Sequence, residues 1–110
     1  MLIFGGLNSV WLVVMFDLPV DTKQARRRYA QFRKYLLENG FTMLQFSIYG
    51  RHCASDENAD VHEKRVIRGL PEKGNVRILR VTEKQFGRMK TFYGKKPRKT
   101  EEPPLQLSFF

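Results

Sequence analysis

Residues 10–16 form an unbroken apolar run, Val-Trp-Leu-Val-Val-Met-Phe, that stops at Asp17. A seven-residue apolar run rich in β-formers predicts a central strand buried on both faces, because a half-exposed strand would alternate with polar residues. The next stretch, Asp17 to Thr22, contains Pro19 and two helix N-cap candidates, Asp21 and Thr22, whose side-chain oxygens can accept a bond from an orphan helix N–H. Ala25, Tyr29, Phe32 and Leu36 then recur at helical spacing, while Lys23, Arg26, Arg27, Arg33 and Lys34 fall largely off that face. Asn39-Gly40 ends the helix, since glycine tolerates the left-handed conformation a helix terminator needs.

The aromatic and β-branched segment Phe41 to Tyr49 predicts two short strands with a bend between Gln45 and Ser47, the second running on through Gly50-Arg51-His52-Cys53. Residues 54–60 are polar and read as a turn. Val61 to Leu70 carries Val66, Ile67 and Leu70 on one helix face, and Pro71 ends it. Val76 to Val81 alternates arginine with aliphatic residues, as a strand with one wetter face does. Thr82-Glu83-Lys84-Gln85 matches a capping box and predicts a short helical turn holding Phe86 and Met89, after which Lys90 to Tyr93 resumes extended structure.

Strand, helix, strand, strand, helix, strand is the ferredoxin-like βαββαβ order of an α+β protein, with helices on one face of an antiparallel sheet. The other face is left open and aromatic, so a homodimer through that sheet face is the physical expectation. The chain divides into an N-terminal extension over residues 1–9, a ferredoxin-like domain over 10–93, and a basic, proline-rich linker with an extra C-terminal strand over 94–110. That last apolar alternation, Leu105 to Phe110, finds no core of its own to join; it either adds to another chain as a docking strand or folds back on its own sheet.

Charge changes the picture from fold to partner. Against 20 lysines and arginines stand 11 acids, a net +9 on 110 residues, and a surplus of that size on a small surface attracts polyanions, nucleic acid first. The basic residues come in two blocks: Lys23, Arg26, Arg27, Arg28, Arg33 and Lys34, then Lys84, Arg88, Lys90, Lys95, Lys96, Arg98 and Lys99. Neither is interrupted by an acid, unlike the mixed signs of an ordinary solvated helix face. No recognition-helix or ribonucleoprotein signature indicates sequence-specific reading. Cys53 is the lone cysteine, which excludes an intrachain disulfide and fits a reducing, cytoplasmic setting. No membrane span or signal peptide is read in the glycine-split apolar opening.

Chemistry is sparse. Asp17 places a carboxylate at the end of a buried strand, where a turn-capping role around Pro19 and a metal or phosphate role are both open. One carboxylate holds magnesium weakly, and a two-fold dimer would supply a second. Asp21 is satisfied by an N-cap role. His52 and His62 lack partners at zinc-ligand spacing, Ser47 lacks a nucleophile elbow, and no nucleotide-binding glycine loop is present.

The segments Val13 to Pro19, Gly40 to Tyr49, Gly74 to Leu79 and Val81 to Phe86 together resemble the CRISPR-associated protein two family, over about residues 10 to 95. The combination of a strand-end aspartate, the Gln-Phe-Ser strand and the Thr-Glu-Lys-Gln-Phe segment carries the likeness. It implies a ferredoxin-like homodimer in which Asp17 of each chain faces the other and shares a divalent metal, Mg²⁺ or Mn²⁺. It also implies two roles: a spacer-acquisition subunit that binds double-stranded DNA and bridges the CRISPR integrase subunit, CRISPR-associated protein one, or a metal-dependent endonuclease on RNA or double-stranded DNA with Asp17 catalytic. By the same likeness Lys23, Arg26 and Arg27 lie along the nucleic acid and the last strand docks on the dimer partner or the integrase; Arg51, Lys95 and Lys96 are further expected nucleic-acid contacts. Met43 stands where some relatives carry an arginine.

Overall fold

The computed structural model of the chain describes residues 2–4 and 8–107, with side chains over 8–104. In chain order its elements are β1 (Leu2–Phe4), β2 (Val10–Asp17), α1 (Lys23–Glu38), β3 (Thr42–Gln45), β4 (Ile48–Cys53), α2 (Asp56–Arg68), β5 (Asn75–Thr82), α3 (Glu83–Gly87), β6 (Thr91–Tyr93), β7 (Lys96–Arg98) and β8 (Leu105–Leu107). Four strands form an antiparallel sheet in the order β3-β4-β2-β5, the ferredoxin-like arrangement.

The apolar run is central because both its faces are used. Val10, Leu12, Val14 and Phe16 point to the helix layer and pack with Phe32 and Leu36 of α1 and Val66 of α2. Trp11 and Val13 point to the other face, where Phe86 of α3 covers only one end; its ring stacks on Trp11 at a centroid distance of 4.1 Å. The rest of that face, with Met15, Leu44, Ile48 and Val81 half-buried, stays open.

The helix termini follow local chemistry. Thr22, not Asp21, caps α1, its hydroxyl accepting the Ala25 N–H at 2.9 Å. At the other end Asn39 closes the helix and Gly40 turns left-handed at φ +82°. The Thr82 box forms in full: Thr82 Oγ1 accepts the Gln85 N–H at 3.0 Å and Gln85 Oε1 accepts the Thr82 N–H at 2.9 Å. Phe86 is buried, whereas Met89 lies past the helix and is exposed.

Two stretches depart from the sequence expectation. The helix expected over residues 61–70 starts earlier, at Asp56, because Ser55 caps it by accepting the Asn58 N–H at 3.0 Å. Its buried face is Ala59, His62 and Val66, leaving Ile67 and Leu70 exposed. A small alanine and a histidine carry the inward stripe, so aliphatic residues alone mark the wrong phase. Likewise, within the stretch read as linker, Lys96–Arg98 forms β7 and pairs with β6 as a hairpin turning at Gly94, φ +62°. Thr100 Oγ1 donates to the Met89 carbonyl at 2.7 Å and holds the base of that hairpin together.

Within this chain the C-terminal strand β8 does not join the four-stranded sheet. It pairs antiparallel with β1, Leu2 opposite Leu107 and Phe4 opposite Leu105, as a separate two-stranded sheet. The tail's Phe109 and Phe110 lie outside the described residues. Among the described residues no helix is long and apolar enough to cross a membrane.

Candidate functional site

Asp17 is the last residue of β2, opposite Asn75 of β5, and it is exposed where Phe16 before it is buried. The strand ends here because the apolar run ends; Leu18 folds back into the core and Pro19 turns the chain toward α1. Asp17 shares a shallow depression of about 300 Å³ with Phe46, Ser47, Asn75 and Arg77. Ser47 is the one non-glycine among the described residues with positive φ, +62°. Its carbonyl accepts the Phe16 N–H at 3.0 Å, and its hydroxyl pairs with the Tyr29 hydroxyl at 2.7 Å. The β3–β4 turn is thereby tied to both the end of β2 and to α1.

Among the described residues no cluster of three histidine, cysteine or acidic side chains is placed to hold a metal ion. One exposed carboxylate at a strand end fits Mg²⁺ or Mn²⁺ only as half of a site, since such ions take one or two carboxylates with water or phosphate oxygens. A second carboxylate from outside this chain would be needed to complete such a set. Asp21 is exposed beside Thr22 and Pro19, at the opening of α1.

The basic residues divide by what they touch. Lys23, Arg26, Arg27 and Arg33 are exposed on α1, and among the described residues none of them forms an ion pair; Arg26 donates to the Val20 carbonyl at 3.0 Å and stays on the surface. Lys95 and Lys96 are exposed at the tip of the β6–β7 hairpin, with Arg98 stacked over the Tyr93 ring at 5.5 Å. Arg80 is engaged instead. From the helix side of β5 it reaches Asp56 at 3.3 Å, Asp60 at 2.8 Å and Glu63 at 3.6 Å on α2, and these acids hold its pKa above the usual arginine value, Asp60 most of all. The acids of α2 are thus partly neutralised internally, and on α1 Arg28 meets Glu72 at 3.9 Å and Lys34 meets Glu38 at 3.8 Å, while Lys23, Arg26, Arg27 and Arg33 have no acid partner among the described residues.

Arg51 is turned inward. Its guanidinium lies against Gly40, where an added Cβ would collide with it, and Nη2 donates to His62 Nε2 at 2.8 Å. Accepting that bond requires an unprotonated Nε2 on His62. Burial, then the positive Arg51 and Arg65, lower the His62 pKa below 6.5. Arg51 therefore ties α2 to the C-terminus of α1, while Lys23, Arg26 and Arg27 remain together on the surface. Cys53 is fully buried, and burial raises its thiol pKa, so it offers no reactive thiolate.

The residues that sequence patterning missed are Phe46 and Arg77. The bend at Gln45 to Ser47 is the available signal, since the middle residue of a tight bend cannot face a core. Arg77 is reached only through the pairing of β2 with β5.

A family model described as CRISPR associated protein Cas2 matches residues 10–89, the stretch from β2 through α3. A protein of Parvibaculum lavamentivorans named CRISPR-associated endoribonuclease Cas2 is 55% identical over 101 residues, covering 92% of this chain and 100% of that protein. One of the same name from Flavobacterium psychrophilum is 53% identical, covering 94% of this chain and 90% of the relative. A Streptococcus mutans protein, also so named, is 38% identical over 89% of this chain and 92% of its own length. With the antiparallel β3-β4-β2-β5 sheet and the strand-end Asp17 in place, the chain belongs to the CRISPR-associated protein Cas2 family.

Proposed function

We propose that this chain acts in CRISPR adaptation as a basic homodimer that holds DNA by its phosphates and bridges the integrase subunit, CRISPR-associated protein one. The observation that carries the reading is the segregation of charge. Lys23, Arg26, Arg27 and Arg33 have no acid partner on α1 among the described residues, whereas Asp56, Asp60 and Glu63 of α2 are drawn onto Arg80. Such a surface contacts a duplex through its backbone without reading bases. Lys95 and Lys96 at the hairpin tip add a second basic projection.

A second reading is favoured by the relatives' names, which give endoribonuclease, and by the exposure of Asp17. In it, Asp17 from two copies holds Mg²⁺ or Mn²⁺ and the dimer cleaves phosphodiesters in RNA or double-stranded DNA. The bound ion would polarise the phosphate and lower the pKa of a water. This chain's own residues would supply the carboxylate and, through Arg77 in the same depression, a positive neighbour for the phosphate. Neither histidine stands at that depression, so the chain adds no imidazole base there.

Spacer integration reconstituted with the cognate integrase, comparing wild type with Asp17→Ala, separates the two. The scaffold reading expects both proteins to integrate at rates within about twofold while any metal-dependent cleavage by the variant falls to background. Loss of integration by a variant that still dimerises and binds DNA would place Asp17 in the integration mechanism and overturn the scaffold-only reading.

A further inference from the structure

Phe46 occupies the turn between β3 and β4 and is 78% exposed, the most exposed of the large hydrophobic side chains in the described structure. The backbone holds it there. Ser47 beside it sits in the left-handed region at φ +62°, a conformation that disfavours a residue with a Cβ. Two bonds maintain it, from the Phe16 N–H to the Ser47 carbonyl and between the Ser47 and Tyr29 hydroxyls. A turn strained and braced in this way fixes the aim of its side chain.

One face of the Phe46 ring is supported. It stacks on Tyr29 with centroids 5.8 Å apart and planes at 19°, and Tyr29 in turn packs on Phe16 of the core at 5.6 Å. The exposure leaves the second face in water. The ring leans on the helix layer through Tyr29, and the depression it borders also takes in Met15 and Ile48 at the edge of the open apolar face.

The surroundings are positive. Arg26 and Arg33 lie three residues before and four after Tyr29 and so neighbour it on the surface of α1, and Arg77 lines the depression that Phe46 shares with Asp17. An aromatic ring with one free face, set among cations that can take phosphates, is the recognition chemistry of an unpaired base; each base offers a π-face, so stacking tolerates any sequence.

We propose that Phe46 is a stacking platform for one unpaired or splayed nucleotide beside Asp17, so that this end of the sheet engages single-stranded nucleic acid or a frayed duplex end, not the interior of a continuous duplex. The inference rests on the nucleic-acid reading above and specifies the form of ligand at this site.

The test measures binding of a single-stranded oligonucleotide carrying 2-aminopurine, and of a closed hairpin duplex of matched length, to wild type, Phe46→Ala and Phe46→Trp. Each protein is first checked for fold and for oligomeric state. The expected result is that Phe46→Ala weakens single-strand binding about tenfold, with duplex affinity unchanged within twofold. Phe46→Trp should keep the single-strand affinity and quench the 2-aminopurine. The slope of affinity against salt should be the same for Phe46→Ala and wild type, because a stacking contact releases no counterions. Unchanged single-strand affinity in Phe46→Ala, with wild type binding well, overturns the inference and leaves the nucleic-acid reading standing. Altered oligomeric state in Phe46→Ala also overturns it, since the ring then belongs to a contact between copies. Failure of wild type to bind either probe removes the nucleic-acid reading and the inference with it.

Discussion

Gly40 shows how much of this fold a single position carries. Its φ of +82° suits glycine, and an added Cβ would run into the Arg51 guanidinium. Gly40→Ala should therefore destabilise the protein by about 2 kcal/mol in urea unfolding, combining left-handed strain with displacement of Arg51. Arg51 passes the effect on to His62, whose pKa is depressed by burial and by the two arginines. A folded-state pKa below the unfolded value means that the unfolded chain binds the extra proton. The stabilisation is then fully present above about pH 6.5 and is lost as pH falls through the lower folded value. His52, also depressed by burial despite the nearby Glu83, acts with the same sign. Urea midpoints should fall between pH 7.5 and pH 5, and His62→Gln, whose amide oxygen can accept from Arg51 without titrating, should shrink that fall.

Among the elements, α2 depends on a contact that periodicity does not contain. Arg80 on β5 gathers Asp56, Asp60 and Glu63, with side-chain exposures of 27% for the arginine and 66%, 58% and 36% for the acids. Solvent screening at that exposure limits the network to about 1 kcal/mol, so Arg80→Ala should cost about that much in chemical denaturation, and the cost should shrink in high salt. A cost that does not change between low and high salt would show that packing, not charge, holds α2 to the sheet. The phase of α2 escapes sequence reading for a related reason: Ala59 and His62 become core residues only because the helix is brought down onto β2 and β4. The β6–β7 hairpin escapes it because Lys95, Lys96 and Pro97 have a linker's composition, and the Thr91–Thr100 and Thr100–Met89 bonds that close its base join residues far apart in the pattern. β2, α1 and the Thr82 box were legible because each is specified within a few residues.

At the scale of the whole molecule, the sheet has one covered face and one open one. Val13, Met15, Ile48 and Val81, with the 48% exposed Leu79, border an apolar depression of about 390 Å³. It is the surface the proposed homodimer would cover, since an exposed apolar patch of this kind marks an association site. Leu79→Glu should sediment as a monomer at concentrations where wild type is a dimer, with its circular dichroism unchanged. A dimeric Leu79→Glu would move the interface elsewhere. The net charge of +9 belongs to this scale too, because its effect is set by which cations the fold leaves unpaired.

The amino-acid sequence by itself determined the strand–helix order, the buried central strand, the cap at Thr82, the position of Asp17 at a strand end and the basic character of α1, and it narrowed the α1 cap to Asp21 or Thr22. These are properties of neighbours along the chain, set by periodicity of two or 3.6 residues and by side chains that bond their own backbone. Tertiary structure alone decided which cations stay free, turning Arg51 onto His62 and Arg80 onto the acids of α2 while leaving Lys23, Arg26 and Arg27 in solvent. It also decided that Phe46, Ser47 and Arg77 meet Asp17, and that the last strand pairs with the first. Each of these depends on strand pairings and helix packing between distant segments, whose partners and geometry no local pattern encodes.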